Sequence, residues 1–322
     1  EKVFEIINIT FPIMLEILKM VVKSDSVESC QVMHVIIKGF YRAIMFHIPE
    51  ILRKEETLKQ WMGLIMAVLV KMPSAEQNPK GASMAQLCQM PIWKAKKWAA
   101  TVCHRIFSRF GRPGFVTDGG RGFARMFYDN FGKPLTLQFM SVLKVKLEGA
   151  PVTPRVLKYA WAFLQEALEH KEMYALIRGE LRFILECVYH TLRPGAEDVV
   201  LWKEDPHEFV RRNLDTMEEC HDPRLAAAFF TIMLVKHRTR DSLNLVLTTI
   251  TSHFNAYANA SPQERVSNMI LIGNKEASMN LLESLRKLLT SENSIDKFRG
   301  PVEEALVKHV LPEFQSPVGF LR

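Results

Sequence analysis

The sequence is 322 residues long, with 42 Lys and Arg against 35 Asp and Glu and 48% hydrophobic residues. It is too apolar for an intrinsically disordered chain and too long to depend on disulfide staples. No apolar run reaches the roughly 18 residues that a membrane-spanning helix needs, so we expect a soluble globular protein.

The five cysteines are scattered without a Cys-x-x-Cys pair. This spacing favours free, mostly buried thiols in a reducing compartment over zinc ligands or disulfides. The chain begins at Glu1 without a methionine and ends directly after the apolar residues 318–321, so we expect a piece of a longer protein. No signal peptide is visible at its start.

Apolar residues recur at steps of three and four along nearly the whole chain, which is the spacing of amphipathic helices. Helix starts are marked by a capping side chain before a proline, at Thr153, Asp205, Asp222 and Ser261. Predicted helices, in chain order, are 2–22, 26–47, 55–72, 91–110, 117–131, 134–147, 154–169, 172–191, 206–217, 223–236, 240–258, 262–290 with a possible break, and 301–314. Longer loops are predicted near 73–90 and 111–122.

Successive helix pairs repeat at about 40–47 residues, the period of HEAT-type helical hairpins. The predicted fold class is therefore all-α: a single continuous HEAT-repeat α-solenoid of about six antiparallel hairpins over residues 1–322. A compact all-helical bundle is the alternative that periodicity leaves open.

Charge is unevenly distributed along the chain. Residues 1–150 hold 21 Lys and Arg against 12 Asp and Glu, whereas 151–322 hold 21 against 23. The most basic stretch is 80–125, and its candidate patch for an acidic partner consists of Lys94, Lys96, Lys97, Arg105 and Arg109. The alternatives are phosphate binding, or lysine stems that lie along core tryptophans with their charges in water.

The most acidic stretch is 197–222. Its candidate contacts for a basic protein partner are Glu197, Asp198, Glu204, Glu218 and Glu219. This stretch is equally consistent with a solvated face that carries two helix N-termini, where carboxylates are favoured.

Tests for catalytic chemistry are negative. The glycines of 111–122 lack a following Gly-Lys-Ser/Thr, and neither His-Glu-x-x-His nor Gly-x-Ser-x-Gly occurs. We therefore expect no enzyme activity, no catalytic or metal site and no cofactor.

Two strings carry a family resemblance. Residues 201–212, Leu-Trp-Lys-Glu-Asp-Pro-His-Glu-Phe-Val-Arg-Arg, closely resemble a motif of the importin-β (karyopherin-β) superfamily, in the branch of importin-7 and importin-8. Residues 91–99 and 105–114 resemble a second segment of this branch, and weaker matches at 153–157 and 309–314 follow in the same order. In the first motif Asp205 is expected to cap a helix, Pro206 to open it, Glu208 to complete a capping box and Arg211 to pair within the hairpin.

The resemblance implies a central fragment of a HEAT-repeat nuclear transport receptor that shuttles between cytoplasm and nucleus. It implies three partners: the GTPase Ran in its GTP form, bound mainly through amino-terminal repeats outside this chain; phenylalanine-glycine (FG) nucleoporins; and basic cargo such as ribosomal proteins or histones. We expect a monomer that binds neither a membrane nor nucleic acid. The alternative is a helical-repeat scaffold that holds its partners without Ran-controlled release.

Overall fold

The computed structural model describes residues 2–214, 222–291 and 295–322, and these residues form helices and turns without a strand. They fall into two compact units, Glu1–Leu176 and Ile177–Arg322. No helix in these ranges is both long enough and apolar enough to cross a membrane. The single continuous array over residues 1–322 stays a prediction.

The first unit consists of paired helices. They are α1 (Lys2–Val21), α2 (Val27–Ala43), α3 (Glu50–Arg53), α4 (Glu55–Val70), α5 (Met84–Gln89), α6 (Pro91–Phe110), α7 (Arg121–Leu147) and α8 (Pro154–Ala167). Three hairpins are formed by α1 with α2, α4 with α6, and α7 with α8. Helices α1, α4 and α7 pack in one row, and α2, α6 and α8 pack in a second, which is the arrangement of HEAT repeats.

Aromatic side chains fill the space between neighbouring hairpins of this unit. Phe40 of α2 lies 4.8 Å, centroid to centroid, from Trp61 of α4. Phe163 of α8 contacts Phe107 of α6 and Phe139 of α7 at the same distance. Each such ring is fully buried, and burial of a side chain this size stabilises the fold by about 1.5–3 kcal/mol. The core therefore runs continuously along the hairpins.

The predicted loop 73–90 is fixed by one buried amide. The Gln77 side chain donates to the Asp25 carbonyl at 3.2 Å and accepts from the Ile92 N–H at 3.0 Å. It thus ties the loop to the start of α2 and to the first turn of α6. This loop also contains α5, a helix that the apolar spacing does not predict.

The second unit begins within α9 (Lys171–Gly179). Its other helices are α10 (Leu181–Leu192), α11 (Ala196–Glu204), α12 (Pro206–Leu214), α13 (Pro223–His237), α14 (Thr239–Asn259), α15 (Pro262–Ser267), α16 (Met269–Leu289) and α17 (Ile295–Ala305). Helix α10 packs against α13, α14 and α16, and Tyr189 of α10 is hydrogen-bonded to Ser278 of α16 at 3.0 Å.

The C-terminal segment, residues 306–322, packs onto α14 and α16. It contains a π-helical turn at Leu306–Val310 and 3₁₀ turns at Leu311–Gln315 and Gly319–Leu321. His309 stacks on Phe254 with ring centroids 4.9 Å apart. Lys275 of α16 forms a buried ion pair with Glu313, and Leu321 packs against Tyr257 and Ile272.

Several predicted boundaries are wrong. The predicted break between 117–131 and 134–147 is absent, because α7 continues through Pro134 with buried Phe131, Leu135 and Phe139 holding both halves against the core. The predicted helix 172–191 is divided between α9 and α10 at Glu180, whose backbone is not helical. The predicted helix 301–314 begins earlier, in α17, and gives way to the π-helical and 3₁₀ turns. The predicted end of 206–217 lies outside the described residues.

Three of the four predicted caps form. Asp205 Oδ1 accepts from the Glu208 N–H at 2.9 Å, Asp222 Oδ1 from the Arg224 N–H at 2.8 Å, and Ser261 Oγ from the Glu264 N–H at 3.2 Å. Thr153 is the exception, because its hydroxyl is buried without a hydrogen-bond partner. Pro154 still opens α8, so its fixed backbone angle is sufficient to start the helix there.

Candidate interaction surfaces

The described part of the acidic stretch lies on α11 and α12. Glu197 and Glu204 are exposed, whereas Asp198 is already engaged, since its Oδ2 accepts from the Gly195 N–H at 2.7 Å and lies 3.9 Å from the Arg224 guanidinium. Glu218 and Glu219 lie outside the described residues. Of the five predicted cargo contacts, Glu197 and Glu204 are therefore the described carboxylates that face water.

Arg224 links this surface to a buried carboxylate. It donates to Glu276 at 2.7 Å, and burial raises the pKa of Glu276 despite that neighbouring cation. The Arg224 guanidinium thereby balances part of the negative charge beside α11 within the second unit.

The Glu-Asp-Pro motif builds the corner between α11 and α12. The Asp205 N–H donates to the Leu201 carbonyl at 2.8 Å, which continues the hydrogen bonding of α11. The Glu208 carboxylate accepts two bonds from Arg211, at 2.6 and 2.7 Å. Arg211 therefore pairs with Glu208 within α12, where its guanidinium fork matches the carboxylate in two places.

The tryptophan of the same motif is a packing residue. Trp202 meets Phe209 edge-on, with ring centroids 5.3 Å apart. Its indole also lies against Gly319, where an added Cβ would overlap the ring. The motif therefore joins α11, α12 and the C-terminal segment.

The second motif, around residues 105–114, closes the C-terminal end of α6. The Gly111 N–H donates to the Ile106 carbonyl at 2.8 Å, and a Cβ at Gly111 would overlap the Phe127 ring. Arg112 pairs with Glu169 at 2.5 Å, and Gly114 has a φ of 91°, a left-handed conformation that favours glycine. These motif residues have structural roles.

The residues of the predicted basic patch differ in burial, and two of them bind backbone carbonyls. Lys96 is 8% exposed, its Nζ donates to the Lys71 carbonyl at 2.6 Å, and desolvation lowers its pKa to about 8. The Arg105 guanidinium donates to the Met45 carbonyl. Lys96 thus satisfies a backbone carbonyl within its own hairpin and Arg105 one of the preceding hairpin, so both cations leave the predicted surface patch, whereas Arg109 is exposed.

The structure instead brings Lys94 and Lys97 together with Lys38 and Arg155. Burial lowers the pKa of Lys97 first, and the charges of Arg155, Lys38 and Lys94 lower it further. Sequence reasoning missed Lys38 and Arg155, because they lie on α2 and α8, far from α6 in sequence. The repeat period could have indicated both residues, because stacked hairpins place every second helix in one row.

A further open cleft of about 660 Å³ lies in the second unit between the α9–α10 corner and α14. Its lining includes Arg182, Phe183 and Leu245, and the Arg178–Asp241 ion pair, at 3.0 Å, crosses it.

Over residues 2–214, 222–291 and 295–322, no three His, Cys, Asp or Glu side chains are grouped to hold a metal ion.

The fold is shared with a known transport protein. The chain superimposes on the exportin Cse1 in its cargo-free, cytoplasmic state with a TM-score of 0.74 over 98% of this chain and 33% of that chain, at 16% sequence identity. The two rows of hairpins and this likeness establish the predicted all-α HEAT-repeat solenoid class.

Sequence comparison finds relatives that carry the importin name. The chain is 28% identical to an importin beta-like SAD2 homolog of Arabidopsis thaliana over 99% of its own length and 30% of that protein. It is 24% identical to importin-8 of Homo sapiens over 89% of its own length and 26% of that protein. No family model matches. The chain thus spans about three tenths of the relatives it matches, and the resemblance to the importin-β superfamily, in its importin-7 and importin-8-like branch, is confirmed.

Proposed function

We propose that this chain is part of a nuclear transport receptor that carries protein cargo through the nuclear pore under Ran-GTP control. The observation that carries the proposal is the collinear similarity of 99% of the chain to an importin beta-like protein. The hairpin rows support it, because stacked helical repeats offer extended surfaces for protein partners. The activity is binding and release, with no covalent step.

The mechanism is thermodynamic linkage between partners. Ran-GTP and cargo stabilise different arrangements of the repeats, so each weakens the binding of the other. FG nucleoporins bind separately and permit passage through the pore, and the protein is found in both cytoplasm and nucleus.

Basic cargo, such as a ribosomal protein or a histone, binds the acidic surface of α11 and α12 in this proposal. Glu197 and Glu204 are exposed there and face water, which suits them to lysine-rich segments. Their attraction acts over about 8 Å at physiological ionic strength.

The experiment uses the full-length protein that contains this chain. Immobilised FG repeats and immobilised Ran-GTP should each retain it, whereas Ran-GDP should not. Retention by neither would favour a constitutive scaffold over a transport receptor.

The cargo surface is tested separately with a labelled lysine-rich peptide. We expect the double variant Glu197→Gln, Glu204→Gln to bind it several-fold more weakly. The matched control, Glu76→Gln with Glu186→Gln, removes two exposed acids elsewhere and should bind normally. Equal affinity of the two variants would contradict the assignment of cargo binding to the exposed carboxylates of α11.

A further inference from the structure

Four cations from three different helices meet on the second row of the first unit. Helices α2, α6 and α8 pack side by side in that row, and they contribute Lys38, then Lys94 and Lys97, then Arg155. We call these four residues the cationic face. This group differs from the patch that the sequence predicts, because it excludes Lys96, Arg105 and Arg109.

The charges of the cationic face are uncompensated within the described structure. No described carboxylate forms an ion pair with any of the four, whereas Lys71, Arg112 and Arg224 of the same chain each have an acidic partner. Lys38 and Arg155 are exposed, and Lys94 and Lys97 are half-buried. The four cations repel one another, and no carboxylate among the described residues pairs with them to offset this repulsion. A partner that supplies negative charge relieves it.

The excess of positive charge also affects a neighbouring histidine. Burial, followed by the charges of Lys97, Lys38 and Lys94, lowers the pKa of His34 on α2. No acidic group is among the causes that act on His34, so the region is positive on both sides of the α2–α6 contact.

An aromatic pair lies beside the cations. Tyr41 and Trp98 are half-buried and their ring centroids are 5.0 Å apart. The Lys97 ammonium lies 4.9 Å from the Trp98 centroid. The Trp98 ring is therefore already in contact with a ring and a cation, whereas binding of single-stranded nucleic acid uses open aromatic faces on which bases stack.

We propose that the cationic face binds an extended acidic peptide segment that crosses α2, α6 and α8. Packed helices lie about 8–10 Å apart, and side chains on one face of an extended peptide recur about every 7 Å. Alternate Asp or Glu residues of such a segment can therefore reach the cations of successive helices. This inference goes beyond the transport function and does not depend on it.

The test measures fluorescence anisotropy of a labelled peptide of alternating Glu and Ser, titrated with the full-length protein. We expect the double variant Lys38→Gln, Arg155→Gln to bind about tenfold more weakly. The matched control is Lys80→Gln with Arg109→Gln, two exposed cations of the same basic stretch that lie outside the cationic face. The control should change the affinity by less than about twofold.

Two further arms use the unmodified protein. Raising the salt concentration from about 50 to about 300 mM should weaken peptide binding, since screening shortens the range of exposed charges. A peptide of alternating Gln and Ser should not bind. Equal losses in the two double variants, binding of the Gln peptide, absence of binding to the Glu peptide, or tighter binding of a single-stranded oligonucleotide of equal charge would each overturn the proposal.

Discussion

The ion pair between Lys275 and Glu313 attaches the C-terminal segment to α16. Lys275 is 3% exposed and Glu313 is 8% exposed, and the ammonium also lies 4.0 Å from the Tyr257 ring centroid. Burial lowers the pKa of Lys275, and the bond to Glu313 opposes that shift. Loss of one partner would therefore leave a buried charge without compensation.

Removing one partner of this pair should destabilise the protein strongly. We expect Glu313→Gln to lower the free energy of unfolding by about 3 kcal/mol, because the Lys275 ammonium stays buried without its carboxylate. Combining Glu313→Gln with Lys275→Met should restore part of the lost free energy of unfolding, because no buried charge then remains unpaired. Urea denaturation of the two single variants and the double variant measures the coupling, and strictly additive effects would show that the pair is not coupled.

Acid should destabilise the fold through three histidines, of which His309 is buried and His170 and His253 are half-buried. Burial is the first cause that lowers the pKa of His170, His253 and His309 in the folded state. The unfolded chain therefore binds protons more readily, so the stabilising contribution is complete above the ordinary histidine pKa of about 6.5 and is lost as the pH falls below it.

His309 offers a direct measurement of this effect. We expect His309→Gln to lose less stability than the unmodified protein between neutral and mildly acidic pH, because the variant no longer has to keep that imidazole neutral against Phe254. Thermal unfolding across this pH range gives the comparison, with the exposed His207→Gln as control. Identical pH profiles for the His309 variant and the unmodified protein would refute it.

Among the elements, the close contact between the end of α6 and the second turn of α7 depends on Gly111. Its φ of −103° is accessible to any residue, so replacement by alanine tests the contact with Phe127 without introducing backbone strain. We expect Gly111→Ala to lower the free energy of unfolding by about 1–3 kcal/mol, because the ring must move.

Gly122 provides the matched control for that substitution. A Cβ there has no neighbour within 4 Å, and the residue lies in the first turn of α7. Gly122→Ala should therefore be neutral or stabilising by up to about 1 kcal/mol. Equal melting temperatures for the two variants would disprove the proposed overlap with Phe127.

Much of the element order could be predicted, because apolar spacing and proline-linked caps are local signals. Pro206, Pro223 and Pro262 each open a helix as expected. The break expected before Pro134 was wrong, because local propensity cannot register the buried aromatic residues that hold α7 together on both sides. Helix α11 was missed, since its nine residues contain no apolar stripe at helical spacing.

The surfaces were less predictable than the helices. Lys96 and Lys97 are adjacent in sequence and both basic, yet one donates to a backbone carbonyl and the other faces solvent in part. Which lysine turns inward depends on the register of α6 against α4, and sequence does not give this register. Arg155 joins the cationic face only because α8 packs beside α6.

On the scale of the whole molecule, the proposed function requires stacked hairpins that exchange one partner for another. Within the first unit, each hairpin contacts its neighbours in two rows, so a ligand that spans several helices can favour one arrangement of the repeats. A transport receptor needs a second ligand that favours a different arrangement.

The most direct test of the proposed transport function is the dissociation constant of a basic protein such as a histone for the full-length protein, measured with and without Ran-GTP. The proposed function predicts that saturating Ran-GTP weakens binding of this protein by about tenfold or more, and that Ran-GDP has no effect. A cargo dissociation constant that is unchanged by Ran-GTP would contradict it.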